Sequence, residues 1–310
     1  MASQIKIFSG TASRYLAEKI CDFFGSPLGK VNVERFKDGE MQITYEESIR
    51  GSDIFIVQST FTPAENMMEL LLLIDTARRA SANQIIVVTP YFGYARQDRK
   101  FKSRVSLGSK LMANLLTAAG ADRILTMDLH AGQIQGFFDI PFDHLFASVV
   151  FLPYLRSLEL ENLCIASPDV GGSERARAYA KRLENASLAI IDKHRDKPNE
   201  VASMTVIGNV EGKNVVLVDD LIDTAGTLCK AGEVIMEQGA LSVRAVATHP
   251  ILSGPAYDRI ASSRLSEVVV SDTIPLQKEL DNLKVISIAP IFAKAFRKIH
   301  NYESISSLFV

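Results

Sequence analysis

The chain has 310 residues, 47% of them hydrophobic and 23% charged, with a formal net charge of −2 at pH 7. That length exceeds one ordinary domain and points to two, and the composition is that of a globular protein with sizeable cores. The near-zero charge argues against nucleic-acid binding by bulk electrostatics, although local basic patches remain free to hold a small anion.

The three cysteines, Cys21, Cys164 and Cys229, show no paired spacing and fit a reducing cytosol. Met1–Phe8 lacks the long apolar run of a secretory signal. The apolar stretch within Asn66–Ala80 is interrupted by charge well short of a membrane span. A cytoplasmic protein with no membrane partner is expected.

In chain order, Val31–Arg35 and Gln42–Tyr45 read as strands joined by Phe36-Lys-Asp-Gly-Glu40. Asp38-Gly39 is a hairpin signal. A plain turn explains it, and so does a base site in which Phe36 stacks while Asp38 and Glu40 accept from an exocyclic amine. The strand Ile54–Val57, the helix Met67–Ala80 and the strand Ile85–Val88 follow. Pro90-Tyr-Phe-Gly-Tyr-Ala-Arg-Gln-Asp-Arg-Lys100 then sets three aromatics and three cations directly after a strand end. An apolar wall beside bidentate guanidinium donors suits a nucleotide triphosphate.

After the helix Leu107–Ala119, the strand Ile124–Met127 ends on Asp128-Leu-His130. A domain boundary is expected near Pro141–Val149, where the chain leads into a new helix. The strand Cys164–Ala166 ends on Ser167-Pro-Asp169, and Gly171-Gly172 allow a tight entry into the helix Ser173–Leu183. Asp169 and His130, one from each domain, are expected to hold Mg²⁺ with few protein ligands, leaving room for phosphate oxygens. The strand Leu188–Ile191 runs on into Asp192-Lys-His-Arg195. Strand alternation turns Lys193 and Arg195 to one face and His194 to the other. Two cations there suit a transferring phosphoryl group.

The stretch Val215-Val-Leu-Val-Asp-Asp-Leu-Ile-Asp-Thr-Ala-Gly-Thr227 is the most informative. A buried strand, Val215–Val218, ends on Asp219 and Asp220, and a loop of small and hydroxyl residues enters the helix Leu228–Gln238. Strand, loop and helix N-terminus together place N–H groups and hydroxyls around a phosphate-sized cavity. Carboxylates repel bare phosphate but suit vicinal hydroxyls, directly or through Mg²⁺. A phosphorylated sugar is expected, with phosphate on Thr224–Thr227 and ribose hydroxyls near Asp219 and Asp220. A structural turn with an acidic cap is the plainer alternative. The strands Val243–Ala247 and Val268–Val270 and the helix Ala256–Ser262 complete the pattern. Short apolar runs alternating with helices predict an α/β fold with a largely parallel sheet.

A weak repeat is visible. Gln84–Pro90 and Val243–Pro250 are both apolar strands reaching Thr and then Pro, and Ile124–Asp128 and Val268–Asp272 both end in Asp. The first half has an excess, Tyr94–Ser109, which carries Arg96, Arg99, Lys100, Lys102 and Arg104 and is expected to be a mobile basic loop. Two related domains are expected, 1–146 and 147–294, with 295–310 packing back on the first. Chance similarity of buried strands is the alternative.

The Val215–Thr227 loop resembles the PRPP-binding motif of type I phosphoribosyltransferases, among which some enzymes consume phosphoribosyl pyrophosphate and others make it. Taken with Phe36–Glu40, Pro90–Lys100 and Asp128-Leu-His-Ala-Gly-Gln-Ile-Gln-Gly-Phe-Phe138, the whole chain resembles the phosphate-activated, Mg²⁺-dependent ribose-phosphate pyrophosphokinases (PRPP synthetases). The likeness runs from Ile5-Lys-Ile-Phe8 to Glu303-Ser-Ile-Ser-Ser-Leu-Phe309.

The resemblance implies transfer of the β,γ-pyrophosphoryl group of ATP to the 1-hydroxyl of ribose 5-phosphate, giving PRPP and AMP for nucleotide, histidine and tryptophan biosynthesis. It implies two tandem phosphoribosyltransferase-like domains and a homohexamer in which a neighbouring subunit completes the ATP site. ATP falls to Phe36, Asp38, Gly39, Glu40, Arg96 and Gln97, and metal to His130 and Asp169. Catalysis falls to Lys193 and Arg195. Ribose 5-phosphate falls to Arg195, Asp219, Asp220, Asp223, Thr224, Ala225, Gly226 and Thr227. Glu46-Glu-Ser-Ile-Arg50 resembles the segment that takes inorganic phosphate as activator or ADP as inhibitor.

The chain departs from the family pattern at Arg104-Val-Ser-Leu-Gly-Ser-Lys110, where Arg-Glu-Pro-Ile-Thr-Ala-Lys is usual, and at Glu174 and His194. A salvage phosphoribosyltransferase shares the PRPP loop but leaves the aromatic–arginine segment unused. A non-catalytic regulatory subunit is the other alternative, against which Lys193, Arg195, His130 and Asp169 are all present.

Overall fold

A computed structural model describes residues 4–184, 186–194 and 203–308. The chain divides into two compact units, one within Met1–Phe146 and Ile288–Val310, the other within Ala147–Ser287. The return into the first unit thus begins at Ile288, ahead of the 295 expected from sequence.

The first unit runs β1 (Ile5–Ser9), α1 (Arg14–Phe24), β2 (Val31–Arg35), β3 (Met41–Tyr45), β4 (Asp53–Val57), α2 (Glu65–Arg79), β5 (Gln84–Thr89), α3 (Gly108–Ala119), β6 (Arg123–Met127) and β7 (Phe142–Leu145). Its sheet has the order β1-β4-β5-β6-β7, all parallel, and β2–β3 is a separate antiparallel hairpin. Strand alternation sends Phe8, Ile54, Ile56, Ile85, Val87 and Ile124 into one core with Leu70, Leu73 and Ile74 of α2 and Ala113 and Leu116 of α3. The hairpin packs on the same core, where the Tyr45 ring meets Phe8 edge-on at 4.7 Å.

The second unit runs α4 (Ser148–Ser157), β8 (Leu163–Ser167), α5 (Ser173–Arg182), β9 (Ser187–His194), β10 (Ser203–Ile207), β11 (Asn214–Ile222), α6 (Gly226–Glu237), β12 (Ser242–Pro250), α7 (Ala256–Ala261), β13 (Glu267–Ser271) and β14 (Leu283–Ile286). Its sheet order is β10-β9-β8-β11-β12-β13-β14, parallel except for β10 against β9.

The last helix, α8 (Ala289–His300), belongs to the first unit. Its Phe296 stacks on Phe55 of β4 with centroids 4.3 Å apart. Arg297 Nη2 donates to the carbonyls of Phe23 and Phe24, 2.7 Å from each, capping α1 where its last carbonyls lack helical partners. His300 Nδ1 lies 3.1 Å from Oδ2 of the buried Asp53. Among the described residues no helix is long and apolar enough to cross a membrane.

Candidate functional site

In the second unit the chain leaves β8 through α5 to β9 on one side and leaves β11 through α6 to β12 on the other. Strand order therefore reverses between β8 and β11, and open α/β sheets bind ligands in the crevice at such a point, outside the carboxyl ends of the strands. Two loops flank it, 168–172 after β8 and 223–225 after β11.

β11 runs to Ile222, past the Val218 expected, because parallel pairing with β12 continues at Asp219↔Ala247, Leu221↔His249 and Ile222↔Pro250. Pairing with β8 stops at Leu217↔Ala166. Asp219 and Asp220 are therefore inside the strand, alongside the gap where β8 has ended. Asp220 is only 5% exposed, and its Oδ1 accepts from Arg175 Nη1 of α5 at 3.0 Å. The same nitrogen is 3.8 Å from Asp219 Oδ1, which accepts the N–H of Asp220 at 2.8 Å. The two carboxylates differ in surroundings: Asp220 holds Arg175, while Asp219 is more open.

Burial pushes the Asp219 carboxyl up to about 8, and the adjacent Asp220 charge adds to that push against the pull of Arg175. Below pH 3.8 both the folded and unfolded chains carry this proton. Between there and about 8 only the folded state does, so the cost of burying Asp219 grows with pH and is complete above that value. Asp219→Asn is therefore expected to gain stability relative to the parent as pH rises. The gap between pH 4 and pH 9 should be at least ~1.4 kcal/mol, the worth of a tenfold change in proton affinity. Urea midpoints at the two pH values check this, and parallel profiles would count against it.

At the start of α6, Ala225 takes a left-handed conformation at φ +57 and turns the chain into the helix at Gly226. Thr224, Gly226 and Thr227 surround the helix N-terminus, where amides without helical partners favour an anion. In the other loop, Asp169 is exposed and its Oδ1 accepts from Gly172 N–H at 2.8 Å. A Cβ on Gly172 would come within 2.6 Å of Ser167 Oγ, so any larger residue there would force that hydroxyl to move. Lys193 is partly buried near the end of β9, opposite Met204 of β10. Arg195 lies outside the described residues, and so does the expected pairing of its face with that of Lys193.

In the first unit the Phe36–Glu40 tip is a hairpin turn, with Gly39 at φ +97 and Glu40 N–H donating to Asp38 Oδ1 at 3.1 Å. Phe36 is 54% exposed there, and Asp38 and Glu40 are exposed as well. After β5, Gly93 N–H donates to Thr60 Oγ1 at 2.7 Å, and a Cβ on Gly93 would fall 2.1 Å from the Thr60 carbonyl oxygen. Arg96 is exposed. Gln97 is tied into its own loop: its carbonyl accepts from Ser109 Oγ, and its Oε1 accepts from Ser106 Oγ, each at 2.9 Å. These bonds close the base of the basic segment. His130 is exposed after β6, next to Leu129, whose N–H donates to His144 Nε2 at 2.9 Å. Asp128 is held at φ +38, strain of the kind that clusters at functional sites.

No group of three His, Cys, Asp or Glu side chains among the described residues is placed to hold a metal by itself. Taken by type alone, a carboxylate such as Asp169 is the hard oxygen donor that Mg²⁺ prefers, and an imidazole such as His130 is a softer one.

Residues 5–120 match the N-terminal domain of ribose phosphate pyrophosphokinase, and residues 191–310 match the phosphoribosyl synthetase-associated domain. A ribose-phosphate pyrophosphokinase of Porphyromonas gingivalis is 54% identical over 99% of this chain and 98% of its own length. The chain belongs to the ribose-phosphate pyrophosphokinase family. The Campylobacter jejuni member is 53% identical over 98% of this chain and 99% of its own. The crystal structure of phosphoribosylpyrophosphate synthetase from Mycobacterium smegmatis superposes with a TM-score of 0.92 at 37% identity, covering 97% of this chain and 100% of that one. The α/β fold expected from sequence is thus that of a pyrophosphokinase throughout.

Arg175, which the structure ties to Asp220 and sets beside Asp219, is a neighbour of the candidate site that the sequence did not single out. Its signal was present: a lone arginine in the first turn of the helix that follows the Gly171-Gly172 turn. Nothing in the sequence tied it to carboxylates on another strand.

Proposed function

We infer that this chain transfers the β,γ-pyrophosphoryl group of ATP to the 1-hydroxyl of ribose 5-phosphate, forming PRPP and AMP. The observation that carries the reading is the Asp219–Thr227 loop at the switch point of the second sheet, in a chain similar end to end to ribose-phosphate pyrophosphokinases. The 5-phosphate rests on the α6 N-terminus and the Thr224 and Thr227 hydroxyls. Asp219, Asp220 and Asp223 face the ribose hydroxyls, with Asp220 also orienting Arg175. ATP is bound by Phe36, Asp38, Gly39 and Glu40 at the hairpin tip and by Arg96 and Gln97. Gln97 contributes by fixing its loop.

His130 and Asp169 would hold Mg²⁺, which would supply charge neutralisation on the ATP phosphates. The anomeric oxygen attacks the β-phosphorus in line, the bond from that phosphorus to the α-phosphate oxygen breaks, and AMP departs. Lys193, with Arg195, donates to the oxygens that gain charge. Phosphate and ADP act as effectors, and the enzyme works as a cytoplasmic homohexamer, which light scattering should read as about six times 34.1 kDa.

Purified chain with ATP, Mg²⁺ and ribose 5-phosphate, and no nucleobase, is expected to release AMP and PRPP in equal amounts. AMP release that needs a second protein would mark a regulatory subunit. PRPP consumption that needs a base would mark a salvage transferase.

A further inference from the structure

The loop that carries the ribose contacts is held from one side by a single stretch of chain, the turn after β12 and the helix α7. Leu252 N–H donates to the Ile222 carbonyl at 2.9 Å, and Ser253 N–H donates to the Asp223 carbonyl at 3.0 Å. Ser253 Oγ also donates to Asp223 Oδ1. Leu252 is bent to φ +48 and Gly254 to φ +55, so this turn is held in a conformation that ordinary side chains avoid.

From α7, Arg259 Nη1 donates to the Thr224 carbonyl at 2.9 Å and lies 3.1 Å from where a Cβ on Gly226 would be. The four links fall on three consecutive residues, one on Ile222, two on Asp223 and one on Thr224. Together they fix the direction of the Asp223 carboxylate and the peptide that leads into α6.

Resting on the pyrophosphokinase reading, we propose that Ser253 and Arg259 are positioning residues that set affinity for ribose 5-phosphate. Arg259 acts through the Thr224 carbonyl and Ser253 through the Asp223 carboxylate. A loop left to sample other conformations loses binding in proportion to the time it spends out of register. Neither side chain belongs to the ATP contacts named above, so the effect is confined to one substrate.

The test is steady-state kinetics with each substrate varied in turn, alongside thermal midpoints. Arg259→Ala and Ser253→Ala are each expected to raise KM for ribose 5-phosphate about tenfold, the range for one charge-assisted or well-placed hydrogen bond. KM for ATP and kcat at saturating ribose 5-phosphate stay within about twofold, and the thermal midpoint is unchanged. Arg259→Gln keeps an N–H donor without the charge and is expected to recover most of the lost affinity.

An unchanged KM for ribose 5-phosphate in both alanine variants overturns the proposal. So does an equal loss of ATP affinity, or a glutamine variant no better than alanine. Each of these results requires an active parent, whereas failure of the parent itself to form AMP sinks the pyrophosphokinase reading instead.

Discussion

Lys193→Ala is expected to lower kcat a hundredfold or more while leaving the fold intact. Lys193 lies near the end of β9, beyond the core positions Ala189 and Ile191 and only partly buried, so the apolar core itself is left in place by the change. On the proposed reading the lysine contributes a cation placed before the reaction, at a point where oxygen charge grows as the bond to AMP breaks. Removing one such preorganised donor costs about 2.7–4 kcal/mol of barrier. The loss should fall on kcat rather than on either KM, because the interaction strengthens only as the transition state forms. Single-turnover AMP release, with circular dichroism to show an unaltered fold, decides the matter. A near-normal rate in the folded variant would remove Lys193 from the chemistry.

Arg175→Ala is expected to be the most destabilising single change among the site residues. It takes from Asp220, 5% exposed, the guanidinium that its Oδ1 accepts from at 3.0 Å. Breaking a buried pair from one side costs about 3–5 kcal/mol, whereas replacing both partners by neutral groups of similar size is often close to neutral. The double variant Arg175→Met with Asp220→Asn should therefore regain much of the stability that Arg175→Ala loses. Urea unfolding of the three proteins reads both effects. A single variant as stable as the parent, or a double variant no better than the single, would contradict the pairing. Activity should fall in both variants, since Arg175 also lies beside Asp219.

How much of this was legible follows from where each signal comes from. A run of apolar residues marks a strand covered on both faces, and Ile54–Val57, Ile85–Val88, Ile124–Met127 and Val215–Val218 all sit in sheet interiors. The strands that the periodic pattern did not predict, β1, β7, β10 and β14, are the four edges of the two sheets. An edge strand needs fewer apolar residues, as Leu283-Lys-Val-Ile286 shows with its exposed centre.

Helices α1 and α8 escaped for another reason. Leu16, Ala17, Ile20 and Cys21 carry a helical period, but their burial depends on a partner that returns from the far end of the chain. The loop Asp223–Thr227 stands out as a candidate in the sequence because its strand–loop–helix pattern is local. Arg175, Ser253 and Arg259 do not, because each acts on a residue that only the sheet order brings near. The end of β11 was placed too early for a related reason: Asp219 and Asp220 are polar, yet β12 keeps pairing past them.

The dependence of the first unit on α8 has a consequence for synthesis. Phe55, the last carbonyls of α1 and the carboxylate of Asp53 all wait for Phe296, Arg297 and His300. On the ribosome the segment made first is therefore completed last, after every strand of the other sheet has emerged. A nascent chain stopped at Ser287 would hold one finished lobe and one with a bare flank, a ready substrate for chaperones.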